Sequence, residues 1–312
     1  MANPIRRSSY VLLTVFIQLI ALPLVPRDAA AQEAPASDPQ QQQAELAWTQ
    51  AREALVEGPA SIELKNQASL ALPADFGFVP KKEAAAVMKV MGNVTGPAFI
   101  GLVFPLAEDK NYFFAIDYED SGYIKDDDAK EWDADELLQS LKDGTESANI
   151  QRERQGIPSI VVTRWIEPPA YDNATHRLVW SAEIRLKHGD DPDPGVNYNT
   201  YVLGREGYVS LNLITSASSI GNDKSAAHDL LAAIQFNDGR RYTDFNSSTD
   251  KVAAYGLAAL IGGIAAKKLG LLALLAATLA KFGKVIFVGA VLEGGALMKW
   301  LRSRSAKQNT SA

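Results

Sequence analysis

The chain predicts an α+β fold, an antiparallel sheet with flanking helices, followed by a C-terminal helical membrane anchor. Three observations lead there. Four consecutive runs, SIVVTRWIE, HRLVWSAEIRLKH, VNYNTYVLG and GYVSLNLITS, are rich in β-branched and aromatic residues and are separated by PPAYDNAT, GDDPDPG and the short GREG. Turn-rich linkers of that length join neighbouring antiparallel strands, so the block reads as a meander. Helical periodicity falls in segments outside the block. After Asp250 the composition changes from acidic and mixed to apolar and basic. That order of elements is not the strand–helix alternation of a doubly wound nucleotide fold.

Taken from the N-terminus, residues 1–31 read as a signal peptide. Arg6 and Arg7 precede an apolar run from Tyr10 to Val25, and Ala29-Ala30-Ala31 supplies the small residues of a cleavage site. Residues 32–57, rich in Gln, Pro and Ala at their start, read as a flexible leader, with a short helix from Ala44 to Val56. Residues 58–250 form the acidic α+β domain. SIELKNQASLAL splits into two alternating runs around Asn66-Gln67, a hairpin pattern. Pro80 stands at the first position of a helix KKEAAAVMKVM ending at Gly92. AFIGLVFPL and NYFFAIDYE read as strands, and Asp133 or Asp135 caps a helix ADELLQSLKDGTESANIQRER. SAAHDLLAAIQF, Ser225 to Phe236, continues as a helix after the meander.

Residues 251–300 read as an apolar helical membrane anchor and 301–312 as a basic tail. Ser247 and Asp250 stand at capping-box spacing. Fifteen uncharged residues, Val252 to Ala266, and twelve more, Leu269 to Ala280, are interrupted by Lys267-Lys268. Neither run alone reaches the length of a bilayer span. Ala254, Ala258, Gly262 and Ala266 recur every fourth residue, a small-residue face on which membrane helices, or two copies of the chain, pack closely. Lys299, Arg302, Arg304 and Lys307 then favour a cytoplasmic C-terminus.

Charge divides the chain in the same place. Residues 32–250 carry 19 Lys+Arg and 35 Asp+Glu, net −16, whereas 251–312 carry nine Lys+Arg against one acid, net +8. The acidic part would repel phosphate backbones, so nucleic acid is not an expected partner. The chain has no cysteine, which excludes disulfides, thiolate metal sites and cysteine nucleophiles. There is no G-x-x-x-x-G-K-[ST], no G-x-G-x-x-G and no G-x-S-x-G, so no cofactor and no catalytic residue is assigned. The members of a Ser/His/Asp triad need only meet in space, and the sequence leaves that chemistry open. Trp132, Trp165 and Trp180 read as packing residues.

One stretch raises a metal question. DYEDSGYIKDDDAKEWDADE, Asp117 to Glu136, holds ten carboxylates and two lysines. Asp117, Glu119, Asp126 and Asp128 are the acidic candidates for a cation, since an EF-hand loop uses positions 1, 3 and 12 in this way. Against that, a strand precedes the loop and Asp128 stands where a bidentate Glu belongs. A turn at Gly122 followed by acids at a helix N-terminus explains the stretch more simply. HGDDPDPG, His188 to Gly195, likewise reads as an exposed turn.

The runs DSGYIKDDDAKEWDADELL and YTDFNSSTDKVAAYGLAALIGGIAAKKLG resemble the DUF2167 family of bacterial proteins, over about Gly58 to Trp300. The resemblance implies an exported location and a membrane anchor near the C-terminus, and carries no established activity. The expected role is therefore a non-enzymatic binding or scaffolding domain in the bacterial inner membrane. Its main domain would be periplasmic, and its partners the lipid bilayer and an envelope component. The alternative is a membrane-tethered hydrolase of an envelope polymer or peptide.

Overall fold

The computed structural model describes residues 39–262, with 108, 155 and 190 omitted. The signal-peptide, tail and small-residue positions outside that span, Ala266 among them, lie beyond the described residues.

The described chain is a mixed α/β fold with two antiparallel sheets. The large sheet contains β1 (Val56–Glu57), β4 (Phe76–Pro80), β5 (Phe99–Pro105), β6 (Phe113–Glu119), β7 (Ile160–Asp172), β8 (Arg177–Leu186), β9 (Gly195–Leu203) and β10 (Tyr208–Ser216), in the order β1-β4-β5-β6-β10-β9-β8-β7. The four predicted meander strands are β7 to β10, paired in sequence with Trp180 opposite Asn199 and Asn199 opposite Asn212. The small sheet is β2 (Ala60–Leu64), β3 (Ala68–Leu72) and β11 (Ile234–Phe236). Lys65 and Asn66 both have positive φ, 60° and 58°, the mirror-image turn that matches the twist of a two-strand hairpin.

Alternation along the strands builds three layers. One face of the large sheet meets the small sheet and helix α4 (Ile220–Ala232), with Phe114, Ile116, Leu211 and Leu213 packed against Leu64, Leu70 and Leu230. The opposite face has two covers. Near β4–β6 lie α1 (Pro39–Glu53) and α2 (Lys81–Val90), with Ala51, Val87 and Met88 on Phe99, Leu102 and Phe113. Near β7–β9 lie α3 (Ala134–Arg154) and the single turn α5 (Ala259–Gly262), with Leu137, Leu141, Leu257 and Leu260 around Trp180 and Tyr201. Asp133 does cap α3: its Oδ1 accepts the N–H groups of Asp135 at 2.8 Å and Glu136 at 3.0 Å.

Three expectations are corrected. The leader is not flexible throughout: α1 starts at Pro39, and its Trp48 packs edge-on against Phe104 at 5.8 Å. The helix expected from Ser225 to Phe236 starts earlier and ends at Ala232, because Ile234–Phe236 pairs with the open edge of β3. The segment expected to begin the anchor is instead part of the domain up to Gly262. Val252 bridges Tyr123, Ala253 N–H donates to the Tyr123 carbonyl at 2.8 Å, and Leu257, Leu260 and Ile261 are buried. Ala254 lies exposed in a bend outside the α5 turn, while the Ala258 carbonyl, at its start, accepts the Gly262 N–H at 3.0 Å. Asp250 caps no long helix; its carboxylate takes both Arg205 Nε at 2.7 Å and Nη2 at 2.8 Å.

Two small details hold the Lys251–Gly262 strap in place. Gly122 has φ +89°, and a Cβ there would lie 2.6 Å from the Lys251 carbonyl oxygen, so only glycine lets the strap run this close. Asp128, in a 3-10 turn, accepts the N–H groups of Leu257 and Ala258, each at 3.1 Å. These would otherwise be orphaned at the start of the α5 turn. Asp128→Ala should lower the unfolding free energy by about 1–2 kcal/mol. Urea unfolding followed by tryptophan fluorescence measures this, with Asp128→Asn losing about half as much.

Candidate functional site

A cavity of about 300 Å³ opens where β11 of the small sheet meets the ends of β8 and β9. Its walls come from four separate segments: Thr175–Arg177, Val202-Leu203, Ile234–Phe236 and Arg241–Thr243. The size suits a small ligand or the head of a larger one. Phe236 forms one wall only because residue 204 is glycine. A Cβ on Gly204 would sit 2.3 Å from the Phe236 ring.

Behind the cavity runs a stack of rings. Tyr123 lies between Phe245 at 3.8 Å and Tyr242 at 4.4 Å, and the His176 ring lies 4.1 Å from Tyr242. Tyr242 is fixed in turn by donating its hydroxyl to the Ile124 carbonyl at 2.8 Å. His176, at the end of the β7–β8 turn, has φ +52°, and its carbonyl accepts the Leu203 N–H at 3.0 Å.

A polar chain leads away from the imidazole. Tyr171 donates its hydroxyl to Asp126 Oδ2 at 2.8 Å and lies 3.2 Å from His176 Nδ1. With the phenolic proton given to Asp126, the phenol oxygen is the acceptor and Nδ1 carries the hydrogen. Nε2 then carries the lone pair. Desolvation lowers the His176 pKa, against the opposing fields of Asp126 and Asp172, so the ring is neutral at neutral pH. Burial and the Asp126 hydrogen bond push the Tyr171 phenol well above its ordinary range, and burial does the same to Tyr242.

The four acidic candidates are not brought together. Among the described residues no group of three or more His, Asp or Glu side chains could hold a metal ion. Asp126 serves the Tyr171–His176 chain and Asp128 the α5 turn. Asp117 and Glu119 lie on β6, opposite Ser210 and Tyr208 of β10. Asp117 is on the same sheet face as Asn212 and Asn199, whose Oδ1 atoms are buried without a hydrogen-bond partner. Burial, and then repulsion from Glu119, raises its pKa to about 6. In the HGDDPDPG segment, Asp193 accepts from Ser218 and Asp191 from Leu186, so both brace the turn. Trp180 is fully buried and Trp165 donates to the Ala134 carbonyl at 2.9 Å, both packing roles as read from the sequence.

Sequence reasoning missed the cavity. Its segments are up to 68 residues apart in the chain, and the only local signal was the Arg240-Arg241 pair inside an acidic domain.

Fold and site together define a mixed α/β domain with a polar cavity at the junction of two antiparallel sheets. The chain belongs to the DUF2167 family, proteins of unknown function, whose profile matches residues 56–291. No curated protein matches the chain. Among solved structures it resembles cyanobacterial PsbP (CyanoP) from Synechocystis sp. PCC 6803, at 11% identity over 59% of this chain and 93% of that one, TM-score 0.36. It also resembles the Saccharomyces cerevisiae Ran-binding protein Mog1p, at 10% identity over 58% of this chain and 96% of that one, TM-score 0.32.

Two outcomes are expected. Gly204→Ala displaces Phe236, so it should both destabilise the domain and deform the cavity, by about 1–3 kcal/mol in thermal melts. For Asp117 the folded carboxyl holds its proton more tightly than the unfolded one, at about 6 against 3.8. Its contribution is therefore favourable in acid and lost as pH rises through 6. Asp117→Asn should leave stability nearly unchanged near pH ~4 and raise it by about 2–3 kcal/mol near pH ~7.5. Chemical denaturation across that range measures the difference.

Proposed function

We propose that this chain is an envelope protein that works by binding. Its α/β domain lies outside the inner membrane, tethered by the apolar segment beyond Gly262. The observation that carries the reading is the cavity. Its polar wall groups are held before any ligand arrives, His176 by Tyr171 and Tyr242, and Tyr242 by Ile124. A pre-formed cavity with fixed polar groups is what a binding site needs, since little ordering is left for the ligand to drive. The export-type N-terminus and the apolar, basic C-terminus support the location. Among the described residues no helix is long and apolar enough to cross a membrane.

A membrane-tethered hydrolase is the second reading. It is favoured by one observation, the Asp126–Tyr171–His176 chain, which leaves Nε2 as a base.

Topology reporters placed after Gly262 and at Ala312, combined with carbonate extraction, test the tether. The expected result is an external report at 262, an internal report at 312 and retention in the pellet. A protein that washes off, or two external reports, rules the tether out. For the domain, photocrosslinking from Thr243 in native membranes should capture an envelope component, and more weakly in His176→Gln. Capture and release of a cleaved product only when His176 is present would establish the hydrolase instead.

A further inference from the structure

We propose that the cavity binds a tetrahedral oxyanion, phosphate or a phosphomonoester, and that His176 takes up a proton as it binds. The inference rests on the binding reading above and names the ligand class. The domain carries a net charge of −16 over residues 32–250, yet the residues that line this cavity include two arginines, Arg177 and Arg241, the latter already ion-paired with Asp238 through one nitrogen, and no carboxylate. Thr175, Thr243, Tyr242 and Gln235 add hydroxyl and amide groups. A guanidinium presents its donors in a fork that fits two oxygens of an oxyanion at once. Arg177 supplies the second observation: its Nε is buried and has no hydrogen-bond partner. A buried cationic donor left unpaired costs free energy, and the charge of an anion in the cavity would offset part of that cost. Three-oxygen chemistry suits the site better than a planar carboxylate, because two guanidiniums and an imidazole offer more donors than two oxygens fill.

The imidazole makes the binding pH-dependent. Nδ1 is committed to Tyr171, so Nε2 is the nitrogen that a ligand meets. Neutral, it presents a lone pair that repels an anion; protonated, it becomes a donor. Desolvation opposes the proton; the groups around the ring are Asp126 and Asp172, which favour it, the cavity's Arg177 and Arg241, the latter paired with Asp238, and the uncharged phenols of Tyr171, Tyr242 and Tyr123. An anion in the cavity adds a field that favours the proton. Affinity therefore rises as pH falls through the histidine range.

Isothermal titration of the full-length chain in detergent is the test, with inorganic phosphate as probe. Sulfate serves as a control, because it does not itself titrate in this range. Both should bind more tightly at about pH 5.5 than at about pH 8, by about tenfold. Buffers of differing ionisation enthalpy should reveal uptake of about one proton, abolished in His176→Gln. Arg177→Gln and Arg241→Gln should each weaken binding by about tenfold or more in variants that still unfold cooperatively. A short-chain phosphatidic acid that competes with phosphate would identify a lipid headgroup as the source; phosphate without that competition would identify a soluble ligand. No binding of phosphate or sulfate at either pH, or binding that the arginine variants leave intact, overturns the proposal. If crosslinking from Thr243 still captures an envelope component in that case, the binding function stands and only the ligand class falls.

Discussion

Strands β9 and β10 are buried on both faces, and that double burial decides where everything else goes. A sheet with two apolar faces cannot stop at one cover. The small sheet and α4 close one side, using odd-numbered residues of β10 such as Leu211 and Leu213. The other side is too wide for one helix pair, so α1 and α2 take one end and α3 and α5 the other. The covers come from both extremities of the described chain, Pro39 and Gly262. Folding thus ties together regions that are far apart in sequence.

The cavity is a by-product of the same requirement. Two sheets in different layers meet only along part of their length, and β11 is just three residues long. At its end the layers part, and the gap is walled by side chains rather than filled by them. The rings of Tyr123, Tyr242, Phe245 and His176 brace this rim by stacking, which is geometrically stricter than aliphatic packing. A rim braced in this way keeps its shape when empty.

The meander was legible in the sequence because each strand is rich in β-branched and aromatic residues and is followed by a turn-rich linker. The α3 helix was legible because Asp133 sits where a cap should be. Other elements were decided by partners that no local pattern reveals. The run LLAAIQF keeps helical spacing, yet Ile234–Phe236 becomes a strand because β3 has an unpaired edge beside it. PQQQQAEL is too polar to announce a packed helix, and it buries only the small Ala47 and Ala51. Val252 to Gly262 is apolar and small, a composition equally suited to lipid and to a protein interior, and the carboxylate of Asp128 is what commits it to the interior. Of the reading of the acidic stretch, the cap at Asp133 is observed, whereas Gly122 makes no tight turn back onto β6: its N–H donates to the Glu206 carbonyl and Tyr123 bridges Val252. That Asp126 and Asp128 have separate tasks depends on residues 45 to 130 positions away, Tyr171 for Asp126 and Leu257 and Ala258 for Asp128.

The strap from Lys251 to Gly262 also has a mechanical meaning. Tension applied to the chain beyond residue 262 reaches the domain first at the α5 turn. There it meets the Tyr201 hydroxyl on the Leu260 carbonyl, then the paired Asp128 bonds, and then the Tyr123 bridge. These contacts would yield one after another before any strand of the large sheet bears load. Next to Tyr123 in the ring stack are Tyr242 and, through it, His176, so peeling the strap would loosen the rim of the cavity. The strap therefore couples the chain beyond Gly262 to the ring stack before it couples it to the large sheet.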